Sequence, residues 1–190
     1  MSDAANNIIS FLIEEYMDEK GVHAETVLGA LAAITGDQIL RSTADIENVE
    51  DAWISSDAAT EAIFGNEGVY EHLCAVVRNA GGDLANVEDP ESIIKRTVEA
   101  IGGSPFPPLT IPNDNYPLEF SPNAAFRYRE KVRDILDQHN IPQEEYGQCC
   151  GYALGQLIDQ MKEVLDPALS LKIASEIMFG VTKMNMQKEF

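Results

Sequence analysis

The sequence predicts an all-α fold, and three observations carry the prediction. Apolar residues recur at three- and four-residue spacing in segment after segment. Turn residues followed by proline, at Asp89-Pro90, Ser121-Pro122 and Asp166-Pro167, stand where such segments begin. Proline fits the first helical turn because its missing N–H has no intrahelical partner there. Nowhere do apolar and polar residues alternate as in a half-buried strand. The expected architecture is a single-domain helical bundle over residues 1–190 with seven to nine helices: an N-terminal helical part (1–101), a proline-rich arm (102–121) and C-terminal helices (122–186).

In chain order, Ile8, Ile9, Leu12, Ile13 and Tyr16 form the first stripe, ending at Gly21. A second helix is expected over Ala24–Ile34, which contains the longest apolar run of the chain, VLGALAAI. Ser56 can cap a helix over Asp57–Phe64, because its hydroxyl can accept from an orphan backbone N–H. Trp53, just before it, reads as a large plug in the core or at an interface. Val69–Ala80 is the next helix, and Cys74, beside Leu73, Val76 and Val77, reads as a small buried hydrophobe. His72 and Cys74, two apart on a helix, point away from each other and cannot share a metal. After Asp89 the stripe is Ile94, Val98 and Ile101, stopping at Gly102-Gly103.

The stretch GGSPFPPLTIPNDNYPLEFSP has too many prolines for a regular helix or a central strand. Its apolar residues Phe106, Leu109, Ile111, Tyr116 and Phe120 argue against a solvated linker. It reads as an ordered arm laid across the body, either a lid or partner contact or a bridge between distant helix ends. Helices follow over Ala124–His139 and Glu144–Leu165, and a last stripe runs through Leu169, Ile173, Ile177, Val181 and Met184.

Charge excludes several functions. Thirteen Lys and Arg against 32 Asp and Glu leave a net charge of −19, which repels phosphate backbones and anionic lipid. Nucleic-acid and membrane-surface binding are therefore not expected. No apolar run approaches the roughly 20 residues of a membrane span. The N-terminus lacks a secretory signal pattern, and three cysteines do not make a disulfide framework. These features favour a cytoplasmic protein.

Motifs of phosphate cradles, dinucleotide folds, nucleophile elbows and metalloprotease helices are missing. Three features remain. The first is GQCCGYALGQL, with Gly147, Gly151 and Gly155 at four-residue spacing. Each mid-helix glycine costs roughly 1 kcal/mol against alanine, so the stripe reads as a groove for close helix packing. It is expected to lie against Ala168–Met184 of the same chain or, in the sharper reading, to form the seam of a homodimer. The second is the cysteine pair within it. Cys150 falls on the core stripe with Leu154, Leu157, Met161 and Val164, while Cys149 points toward Ala153 and Gln156. Acidic surroundings disfavour a reactive thiolate, and no metal is expected. The third is AAFRYREKVR, whose apolar face is Ala125, Tyr128, Val132, Ile135 and Leu136. Arg127 and Lys131 flank it on one side, Arg129 and Arg133 on the other. These cations either pair with nearby acids or fork a small anion, with Arg127 the one most available at the helix start. The expected function is that of a non-catalytic binding or interaction protein acting as a homodimer, without a cofactor. The alternative is a helical enzyme or sensor holding a small anionic ligand near Arg127, Arg129 and Lys131.

Overall fold

The computed structural model describes residues 1–44, 46, 56–101, 109–185 and 187. Among these, eight α-helices follow one another: α1 (Ser2–Tyr16), α2 (Ala24–Thr43), α3 (Asp57–Phe64), α4 (Val69–Asn79), α5 (Pro90–Glu99), α6 (Pro122–Gln138), α7 (Tyr146–Met161) and α8 (Pro167–Val181). The protein is all-α. No described helix is long and apolar enough to cross a membrane. Trp53, Gly102, Gly103 and Phe106 lie outside the described residues.

Helix α2 is the axis. Every residue from Thr26 to Leu40 is buried, and α1, α3, α6, α7 and α8 all contact it. It runs nine residues past the expected end at Ile34, because Gly36-Asp37-Gln38 resembles a stop and is not one. Gly36 is needed for contact: a Cβ there would sit 2.2 Å from the carbonyl oxygen of Met178 on α8. The side chain of Asp37, 1% exposed, is held by two arginines. One buried apolar cluster draws on all eight helices, from Ile8 in α1 through Ile93 in α5 to Ile177 in α8.

Side-chain caps start several helices. Ser56 accepts from the Ala59 N–H, Asp89 from Ser92 and Asp166 from Leu169. Ser121 does not cap α6; it is buried, and its hydroxyl lies against Gly29 of α2. Two stripes differ from expectation. The buried face of α5 is Ile93 and Thr97, while Val98 is half exposed, because α5 turns the face carrying Ile93 and Thr97 toward α8. Val164 is exposed, since α7 ends at Met161 and the chain turns before α8.

The described part of the arm, 109–121, crosses α8 and then α2. Thr110 donates its N–H and hydroxyl to Glu176 of α8, at 2.8 and 2.6 Å. Glu176 is 1% exposed and also meets Arg96 of α5 at 3.2 Å, so one buried carboxylate joins arm, α5 and α8. Farther along, Asn115 donates to Glu25, and the Leu118 N–H donates to the Thr26 hydroxyl at 2.9 Å. Pro117 packs over Gly29.

Candidate functional site

The basic helix α6 seats its arginines differently from one another. Arg129 forks Asp37, with Nε and a terminal nitrogen each 2.8 Å from a carboxylate oxygen. Arg41, one turn along α2, meets the same carboxylate at 3.1 Å. Burial pushes the Arg41 guanidinium below its ordinary range, as do the neighbouring cations Arg129 and Arg133, against the pull of Asp37. Arg133 reaches Glu130 at 3.6 Å. Arg127, the residue expected to be most available, pairs with Glu119 of the arm at 3.2 Å and lies against the Tyr128 ring. Lys131 is exposed. The cluster of Arg41, Arg129 and Asp37 is a helix-to-helix joint, and a bidentate arginine engaged in this way has given its fork to the protein.

The glycine stripe is filled from within the chain. A Cβ on Gly147 would meet Ile39 of α2, one on Gly151 would meet Val69, and one on Gly155 would meet the His72 ring and Val76. The groove therefore faces α2 and α4, rather than the Ala168–Met184 segment, because α4 lies across α7 on that side. Both Cys149 and Cys150 are fully buried, so α7 is enclosed on more than the one stripe expected for it. Burial raises the pKa of both thiols, that of Cys150 well above its ordinary value. Thiolate chemistry is disfavoured at both. Among the described residues no three His, Cys, Asp or Glu side chains come together as a metal would require.

Three further features escaped the sequence reading. His72 stacks on Tyr152, ring centroids 5.6 Å apart and 27° between planes, with a hollow on either side. One, of about 310 Å³, has Glu67, Gln148 and Met1 in its wall; the other, of about 280 Å³, has Asn79, Gln156 and Asp159. Burial lowers the His72 pKa. The signal was present in GYALG, whose two glycines admit the α4 side chains that flank Tyr152. Next, Lys183 is 4% exposed. Its ammonium stands 4.5 Å from the centre of the Phe179 ring and 3.2 Å from the Thr60 hydroxyl. Burial lowers its pKa, with Asp57 acting the other way.

The last feature is on the surface. Leu118 of the arm is 77% exposed and Met17, just past α1, is 55% exposed. Both line a hollow of about 320 Å³ whose wall also carries Glu15, Asp18 and Glu119. The backbone beneath is fixed by the Leu118–Thr26 bond, and by Glu119, which accepts from the Tyr16 hydroxyl. A leucine so held is presented to solvent by a firm support. Compared with protein-family profiles, curated proteins and solved structures, the chain matches none.

Proposed function

We propose that this protein works by binding rather than by catalysis, and that its recognition surface is the acid-rimmed apolar hollow between the end of α1 and the arm. The observation that carries this reading is the pairing of Leu118 and Met17, both more than half exposed, in one hollow with three carboxylates. Exposed apolar residues gathered on a fixed support, with a charged rim, are what a protein-binding patch offers. The partner suited to it is a segment of another protein with apolar side chains flanked by lysine or arginine.

The geometry also bears on the two earlier expectations. With the stripe of Gly147, Gly151 and Gly155 covered by α2 and α4, it no longer argues for a second copy of the chain. Two copies meeting through the Leu118 hollow would oppose like-charged rims, which costs free energy. A different protein is the better occupant. An anion near Arg127 and Arg129 would have to displace Glu119 and Asp37, both of which are tied into the fold, so that reading is the weaker one.

The test is fluorescence anisotropy with a short labelled peptide carrying alternating leucines and lysines. Binding should weaken with salt, as exposed charges are screened within about 8–10 Å. It should also weaken at least tenfold in the double variant Met17→Ser, Leu118→Ser. Equal binding by the double variant would remove the patch from consideration. A concentration-dependent dimer in sedimentation, abolished by the same variant, would return the surface to self-association.

A further inference from the structure

The second hollow beside the His72–Tyr152 stack has properties that packing alone does not explain. Two polar atoms on its wall residues, His72 Nε2 and Gln156 Oε1, are shut away from solvent without a hydrogen-bond partner. Buried polar atoms are nearly always satisfied, and leaving one unpaired costs folding free energy. Here two occur on one hollow of about 280 Å³. No lysine or arginine stands in that wall; its charged member is Asp159. Asp159 is 54% exposed, and its Oδ1 takes Lys162 at 3.0 Å, while Oδ2 has no hydrogen-bond partner among the described residues. Tyr152 adds a half-buried aromatic ring, and burial favours the neutral imidazole at His72.

We propose that this hollow binds a compact organic ammonium ion. Its N–H groups are donated to Gln156 Oε1 and to Asp159 Oδ2, and its charge rests against the Tyr152 ring, whose face attracts cations. Gln156 is half-buried as a residue, so a turn of its terminal amide carries Oε1 from its sealed position to the ligand. An anion is disfavoured by the same wall, whose charged member is a carboxylate and which holds no cationic side chain. The net charge of −19 raises the local concentration of small cations. This site is separate from the Leu118 hollow and does not depend on it.

The experiment is a titration at physiological ionic strength, about 0.15 M, with n-butylammonium as the probe and butyrate as its anionic counterpart. It is read by the amide resonances of Gly155 and of the Gln156 side chain. Butylammonium is expected to give saturable shifts and butyrate none. Asp159→Asn, at an exposed position, should weaken binding by up to about fivefold, the upper end for one exposed ion pair. Gln156→Leu should weaken it more than tenfold while melting no lower than the parent, because leucine removes an unpaired polar atom. Glu130→Gln, on the exposed side of α6, should leave the titration unchanged. The proposal fails if butylammonium gives no saturable shift or if Asp159→Asn binds as well as the parent. It fails equally if Glu130→Gln weakens binding as much as Asp159→Asn, which would mark diffuse attraction to an acidic surface. Should Gln156→Leu not fold, Asp159→Asn decides alone.

Discussion

Replacing Gly36 with alanine tests whether α2 and α8 touch through their backbones. An added Cβ would lie 2.2 Å from the Met178 carbonyl oxygen, more than 1 Å inside the ordinary contact distance of about 3.4 Å, and 3.1 Å from the carbonyl carbon. The clash is with the main chain of a buried helix, so no side-chain rotation relieves it. Overpacking of this kind costs about 3 kcal/mol, the upper end of the usual range. Alanine returns about 1 kcal/mol through its better helix propensity. The net expectation is a loss of about 2 kcal/mol or more. Gly155→Ala is the matched control. There the Cβ meets His72 Nε2 at 2.7 Å and Val76 Cγ2 at 3.3 Å, and both are ends of side chains. Tilting the imidazole costs about 0.5–1.5 kcal/mol, which nearly cancels the propensity gain. Urea unfolding of the two variants, compared at equal slope, measures the difference. For a domain of this size about 2 kcal/mol corresponds to a melting shift of roughly 4–8 °C. A Gly36→Ala protein as stable as its parent, or the same response from both variants, would refute the backbone contact.

Three more expectations follow from the buried charges. Asp37→Ala leaves Arg129 and Arg41 without their carboxylate and should cost about 3–5 kcal/mol in chemical denaturation, the range for breaking a buried pair, whereas Asp37→Leu combined with Arg129→Met and Arg41→Met should recover much of the loss. His72 has its folded pKa lowered by burial from an ordinary value near 6.5. Its neutral ring therefore contributes stability that is full above that ordinary value and is lost as pH falls through the folded one. As pH falls below about 6.5 the melting temperature of the parent should drop more steeply than that of His72→Phe, and parallel curves would count against a buried neutral imidazole. Lys183→Met should raise the melting temperature at neutral pH, because it removes a buried ammonium that has a hydroxyl and an aromatic ring beside it but no ion pair among the described residues.

Where the chemistry was local, it was legible. Cap residues and prolines marked the starts of α3, α5 and α8, since a capping bond spans three residues and needs no tertiary partner. The buried face of α6 likewise follows from the spacing of Tyr128, Val132, Ile135 and Leu136. What could not be read depends on partners distant in sequence. Gly36-Asp37 looks like a helix stop until Met178 and Arg129 are opposite it, about 140 and 92 residues away. The glycines of α7 announced a close approach but not which helix makes it. His72 seemed an ordinary helix residue because the groups that define it, Tyr152 and Gly155, belong to α7. The Leu118 hollow was hidden for the same reason: Met17 and Leu118 are joined only when the arm crosses α2. In α5 the amphipathic spacing was real, yet the face turned inward was set by α8.

The all-round burial of α2 has a consequence for how the chain is made. During synthesis this helix emerges early, while the helices that sheathe most of it, α6, α7 and α8, are still untranslated. For that interval Leu28, Leu31, Ile34 and Leu40 have only α1 and α3 to shelter them. A nascent chain stalled near residue 101 should therefore be a sticky intermediate, held by ribosome-associated chaperones or lost to aggregation. The native core can close only when α8 has been made, because α6, α7 and α8 together sheathe most of α2.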